Sequence, residues 1–347
     1  MNRSVRTKLT ALGLCVTLML TALTGCGNKD AKETLSTEQQ SVTESIGSTE
    51  NVTEAAENEV TEGASEENPV TFTDALGRDV TVTSHDRVAA MIGSFADVWL
   101  LSGGELVATA NDSWESLDLD LGNDVVNLGS IQEPNTEALL AAQPDLVIAS
   151  TNTTSNVEME NMLTEAGITV AYFDVSDFDA YLQMLDICTD ITGRKDLYEK
   201  NGLEVQKQIE EIKARVDDSH PSVLFLRAAA SGVKAKGSEG SVGGELLKDL
   251  GCVNIADSDS GLLDNLSLEA IVTADPDYIF VTTQGTDTDA ALENVQETLI
   301  DSPVWSSLTA VKENHYYVLD KRLYNLKPNA RWGEAYKELA DILYPEN

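Results

Sequence analysis

The sequence predicts an α/β protein: two lobes with mostly parallel sheets, joined by one long backbone helix. Three observations predict it. Strand-like apolar runs alternate with helix-like ones from residue 87 onward, the rhythm of parallel sheets with helices on their faces. The phrase EALLAAQPDLVI at 137–148 returns as EAIVTADPDYIF at 269–280, an offset of 132 residues. One long-period echo is too sparse for a solenoid and points instead to two lobes of similar build. Between the halves, Val205, Ile209, Ile212 and Val216 fall at spacings of 4, 3 and 4, one face of a helix.

The chain opens with Arg3, Arg6 and Lys8 ahead of an apolar run from Leu9 to Leu23. That run is shorter than the roughly 20 residues a membrane span needs, so it reads as an export signal over 1–26. Its end, LTGC at 23–26, resembles the bacterial lipobox, which implies cleavage before Cys26 and lipid on that cysteine. Residues 27–69 hold eleven acids, two lysines and no aromatic residue. Such a stretch cannot bury enough apolar surface to offset its ordering entropy and reads as an acidic tether. As a flexible coil it spans ~35 Å.

The body starts with VTFTDALGRDVTVT at 70–83, an alternating pattern around a glycine-containing turn that predicts a hairpin. Strands follow at 87–93, 106–112, 125–129, 146–150 and 168–174. The helices between and after them lie at 94–104, 135–143, 156–167 and 177–193, the last stopped by Gly193. These make a first lobe over 70–193. Residues 194–217 form the interlobe helix, ~35 Å for the stretch 194–216. A second lobe over 218–347 restarts the rhythm: strands at 222–228, 278–283 and YYVLD, helices at 240–252, 267–275 and the closing RWGEAYKELADILY.

Composition narrows the function. The chain carries a net charge of −36, which argues against nucleic acid, a partner that calls for basic stripes. Only Cys188 and Cys252 lie in the body, in different halves, and read as unpaired buried residues although export permits pairing. His85, His220 and His315 follow or precede elements rather than ending strands, so no bare-metal site is expected. No GxSxG, P-loop or HExxH motif is present, and the glycine-rich GSEGSVGG at 237–244 lacks the Gly-Lys-Ser/Thr that grips phosphate. The chain reads as a non-enzyme with no resident cofactor.

Several marks together resemble the solute-binding lipoproteins of ABC importers for iron–siderophores, haem and cobalamin. They are DALGRDVTV, NLGSIQEPNTEALLAAQPDLVI, the helix at 194–216, LKDLGCVNIA with SLEAIVTADPDYIFV, and VWSSLTAVKENHYYVLD. The resemblance implies two Rossmann-like lobes in the type III periplasmic-binding-protein arrangement. It also implies a monomer anchored outside the membrane, a small metal chelate as ligand, and a partner in an ABC permease dimer with its ATPase subunits. Carried over position by position, Glu137 and Glu269 would dock on the permease, each in the first turn of its helix where the dipole favours a carboxylate. A helix-stabilising role alone is the alternative for both.

In open α/β sheets ligands sit beyond the carboxyl ends of the strands. That rule selects Ser94, Phe95, Trp114 and Asn152 in the first lobe. In the second it selects Arg227, Ser238, Gln284, Tyr324, Lys327, Arg331 and Trp332. Helix amides at Ser94–Phe95 are candidates to hold an oxygen anion. Aromatic residues with arginine suit a bulky chelate bearing acidic oxygens. The reading is a ferric-siderophore binder. Haem (with Tyr324 or Met91 able to ligate iron) and a corrinoid are the alternatives. A surface lipoprotein that senses a ligand without transport is the reading from another class.

Overall fold

The computed structural model of the chain describes residues 69–345. The export segment, Cys26 and the tether, save Pro69, lie outside these residues. Among the described residues no helix is long and apolar enough to cross a membrane.

Strands β1 (Val70–Thr73) and β2 (Asp79–Val82) pair antiparallel, Val70 opposite Val82. Asp74 builds the turn between them. Its carboxylate accepts from the N–H groups of Leu76 and Arg78, 3.0 Å each, and from the Arg78 guanidinium at 2.6 Å. Arg78 continues to Glu160 at 2.6 Å and lies 5.0 Å from the Tyr172 ring centre. The hairpin is thus clamped onto the first lobe.

That lobe holds β3 (Val88–Ala90), β4 (Leu106–Thr109), β5 (Val126–Asn127), β6 (Leu146–Ser150) and β7 (Thr169–Phe173). They form one parallel sheet in the order β5-β4-β3-β6-β7. The second lobe holds β8 (Ser222–Ala229), β9 (Gly232–Lys236), β10 (Val253–Asn254), β11 (Tyr278–Thr283) and β12 (Tyr316–Leu319). Its parallel order is β10-β8-β11-β12, with β9 antiparallel on β8. The slots correspond: β6 sits beside β3 as β11 sits beside β8. The repeated phrase is the helix–strand unit that fills this slot, Thr136–Ala141 with β6 and Leu268–Ala274 with β11.

Nearly continuous apolar strands bury both faces of each sheet, as parallel sheets require. Ala89, Met91, Leu139 and Tyr172 pack one face of the first sheet. Leu224, Ile271, Val281 and Trp305 pack one face of the second. The remaining core is a single cluster running through both lobes. Phe95, Trp99 and Tyr181 belong to it, as do Phe225, Leu246 and Phe280, with Val205, Ile209, Trp332 and Tyr336 joining the two groups.

The backbone helix runs from Lys195 to Lys213, ~28 Å at 1.5 Å per residue. It contains a wider π turn at Glu199–Leu203. Near its start, Asn201 donates to the Leu101 carbonyl (2.8 Å) and its own carbonyl accepts from the Tyr181 hydroxyl (2.8 Å). Toward its end, Lys213 pairs with Asp249 at 2.5 Å, and just beyond it Arg215 pairs with Asp341 at 2.7 Å. Glycine at 202 permits a close approach: a Cβ there would lie 2.9 Å from the Leu182 side chain, which would have to shift.

The structure departs from the sequence expectations in places. The helix expected over 156–167 is two, Thr154–Glu158 and Glu160–Glu165. Strand β9 and the Thr288–Val295 helix were not anticipated. Cys188 and Cys252 are free and buried, and burial pushes each thiol up to about 12.

Candidate ligand-binding cleft

The carboxyl ends of both sheets open onto a cleft of about 400 Å³. Both lobes and the segment after β12 build it. The first lobe supplies the loops after β6 and β7, where Asn152 donates to Asp174 across 2.6 Å. The second lobe supplies Arg227 near the end of β8, Thr282 opposite it on β11, and Lys236 at the end of β9. The segment after β12 supplies Asn325 and Lys327.

The cations here are under strain from desolvation. Arg227 has no hydrogen bond or ion pair among the described residues, and burial depresses its pKa. Lys236 is depressed by burial first, then by the neighbouring charges of Arg227 and Lys234. Burial also depresses Lys327, against the pull of Asp174 and Asp112, and its ammonium lies 5.9 Å from the Phe95 ring centre. An unpaired, partly buried guanidinium with a second cation beside it is poised to accept an oxyanion.

The eleven residues selected from the sequence do not all meet here. Asn152, Arg227, Tyr324 and Lys327 line the cleft. The Tyr324 hydroxyl points away from it: it donates within 3.0–3.1 Å of the Ala335 carbonyl and Glu338, and burial, then Glu338, pushes its pKa far up. Ser94 and Phe95 are buried at the start of the Gly93–Leu101 helix. The anion site expected at that helix start is already filled from within, because the Asp112 carboxylate takes the Gly93 N–H at 2.9 Å. Trp332 is 1% exposed and packs edge-on against Phe178, a core residue between lobes. Arg331 is held by Glu334 at 2.6 Å and lines a separate hollow with Asp97 and Arg322. Ser238 is buried with its N–H on Asp257, Gln284 is exposed past β11, and Trp114 lies outside the cleft lining. Sequence reasoning missed Asp174, Thr282 and Lys236. The Ser231-Gly232 turn pair was the one local signal near Lys236, since the Val-Lys-Ala-Lys that follows is too short to show a period.

The three histidines stay outside the cleft. His85 meets the Trp99 ring edge-on, while His220 and His315 contact the carbonyls of Gly251 and Asp277. Glu137 and Glu269 are both exposed and occupy the same helix position. Asn135 and Ser267 cap those helices by accepting from Ala138 (2.9 Å) and Ala270 (3.3 Å). A helix feeding a parallel strand runs back along the sheet, so both N-termini lie at the cleft end of their lobes.

Two α/β lobes bridged by one long helix, with a polar cleft between their strand ends, define a type III solute-binding architecture. The chain belongs to the periplasmic binding protein family, whose pattern matches residues 88–323. It is similar to the iron-uptake system-binding protein of Bacillus subtilis, 24% identical over 280 residues, 80% of this chain and 85% of that one. It is 24% identical over 225 residues to the high-affinity heme uptake system protein IsdE of Staphylococcus aureus, 64% of this chain and 76% of that one. Among solved structures, S. aureus SirA complexed with staphyloferrin B matches with a TM-score of 0.62 and 22% identity, over 79% of this chain and 97% of that one. The chain is a binding protein, not an enzyme.

Proposed function

We propose that the protein captures a ferric siderophore-type chelate in the interlobe cleft and hands it to an ABC permease. In this reading it stays outside the membrane, tethered through lipid on Cys26. The observation that carries it is Arg227, left without a partner in a polar cleft between two lobes. The similarity to an iron-uptake binding protein supports the ligand class. Haem iron takes an axial side-chain ligand. Met91 is 0% exposed within the core and the Tyr324 hydroxyl is occupied, which favours a siderophore over haem ligated by either.

Glu137 and Glu269 present one exposed carboxylate per lobe at matching helix positions, which supports docking on a two-subunit permease. Such charges mainly set orientation and on-rate. Full-length protein carrying Glu137→Ala and Glu269→Ala is expected to bind ferric chelate in calorimetry as the parent does, while cellular iron uptake falls at least tenfold. Undiminished uptake would remove the docking role. Failure of the parent protein to bind any ferric chelate would remove the proposed ligand class.

A further inference from the structure

The β8–β9 hairpin gathers three cations on one face of the second sheet. Lys234 lies directly opposite Arg227, and Lys236 opposite Phe225. Opposed residues share a face, as do residues two apart on a strand, so Arg227, Lys234 and Lys236 rise together. Like charges set opposite each other in a ladder destabilise it. Acids are not scarce, for the chain has 59 of them against 23 lysines and arginines. Yet among the described residues none bonds to any of the three. The carboxylates lining the same two cavities are engaged elsewhere: Asp174 accepts from Asn152 at 2.6 Å, Glu239 pairs with Lys248 at 3.2 Å, and Asp257 accepts the Ser238 N–H at 2.8 Å.

This ladder stands between two cavities. Arg227 and Lys236 line the interlobe cleft, and the same two residues line a hollow of about 910 Å³ in the second lobe. The hollow lies where β9 and β10 share one edge of β8, β10 pairing with Ser222–Val223 and β9 with Phe225–Ala229. Lys234 lines only the hollow, whose rim includes the exposed apolar side chains of Val253 and Leu263. The cationic row therefore continues out of the cleft.

We propose that the Arg227–Lys236–Lys234 ladder reads a polyanionic ligand that reaches from the cleft into this hollow. The bound chelate then carries at least two negative charges on the part lying over β8 and β9. This rests on the functional reading above and narrows it, since a neutral or cationic chelate would leave the row unneutralised. Lys234 is the discriminating residue, because it touches no part of the cleft.

The test is calorimetric titration of the full chain with three iron(III) complexes: ferric citrate (anionic), ferrichrome (neutral) and ferrioxamine B (cationic). Iron-free citrate and inorganic phosphate serve as further arms. The expected result is at least tenfold preference for the anionic complex. Lys234→Gln and Lys236→Gln should each weaken that complex several-fold and flatten its salt dependence, and Lys234→Gln, which lies outside the cleft, should leave the neutral complex unaffected. Tightest binding of a neutral or cationic complex overturns the inference, as does anionic affinity unchanged in Lys234→Gln. Binding of free citrate or phosphate that depends on Lys234, with no ferric complex bound, would sustain the ladder and sink the iron-chelate reading instead. If nothing anionic binds, the ladder has no such role.

Discussion

Asp145 and Asp277, one repeat apart, do the same work in each lobe. Asp145 accepts from the N–H groups of Asp86 (3.1 Å) and Arg87 (3.2 Å) and from the Ser84 hydroxyl, and its own N–H donates to the Arg87 carbonyl at 2.9 Å. Asp277 accepts from the N–H of Ser222 (2.8 Å) and its hydroxyl (2.6 Å), and its N–H donates to the Ser222 carbonyl at 2.9 Å. Each aspartate ties the start of its own strand to the start of the lobe's first strand. The residues before the repeated prolines, Gln143 and Asp275, also match, at left-handed φ of 49° and 43°. The echo in the sequence is therefore a repeated joint, not only a repeated apolar pattern. Asp145→Ala and Asp277→Ala should each cost ~1–3 kcal/mol in denaturant unfolding, the usual range when charged hydrogen bonds are removed. A variant as stable as the parent would show that the matching joint is incidental.

At the scale of elements, the Asp74–Arg78 clamp gives the hairpin a pH-dependent hold. Burial opposes the Asp74 charge, but the hydrogen bonds and charge of Arg78 outweigh it and keep the carboxyl below its usual pKa. A depressed folded pKa means folding favours the ionised form. The contribution is complete above the unfolded value of about 3.9 and is lost as pH falls through it toward the folded value. Asp74→Asn should thus be less stable than the parent by ~1.5–3 kcal/mol at neutral pH. The gap should narrow as melts are repeated from pH 5 down to pH 3, and a gap of constant size would refute the linkage. The hairpin was legible through its alternation, and the strands β6 and β11 through continuous apolar runs, each following a turn signal. Strand β9 was not, since Gly-Val-Lys-Ala-Lys is too short and polar to show a period and exists through its pairing with β8. The cleft was legible only in part for a related reason. Strand ends locate the loops, but they do not say whether Ser94, Phe95 or Trp332 turns toward solvent or into the core that crosses between lobes.

At the scale of the molecule, that crossing core sets how far the lobes can move. A long helix and one apolar cluster already join them, and a polar clasp adds a third link. Asn329, fully buried at a φ of 53°, donates to the Ser94 carbonyl (2.8 Å) and to Asp97 (2.7 Å) of the first lobe. Arg322 donates to the Leu117 carbonyl at 2.7 Å. Both residues flank Lys327 of the cleft, so the clasp and the ligand wall are one segment. Burial raises the Asp97 pKa against the pull of Asn329, Arg322 and Arg331, so losing the amide would leave a buried carboxylate short of its donor. This geometry implies small rigid-body adjustment on ligand capture, not wide hinge closure. Asn329→Gly isolates the side chain, because glycine accepts the left-handed backbone more readily than asparagine does. The variant should unfold ~1–3 kcal/mol more easily. Hydrogen exchange should rise both at residues 93–101 and at 326–331, and ferric-chelate affinity should fall several-fold through faster dissociation. Faster exchange confined to 326–331, with residues 93–101 unchanged, would mean that Asn329 merely shapes its own loop and that the helix and core alone hold the lobes.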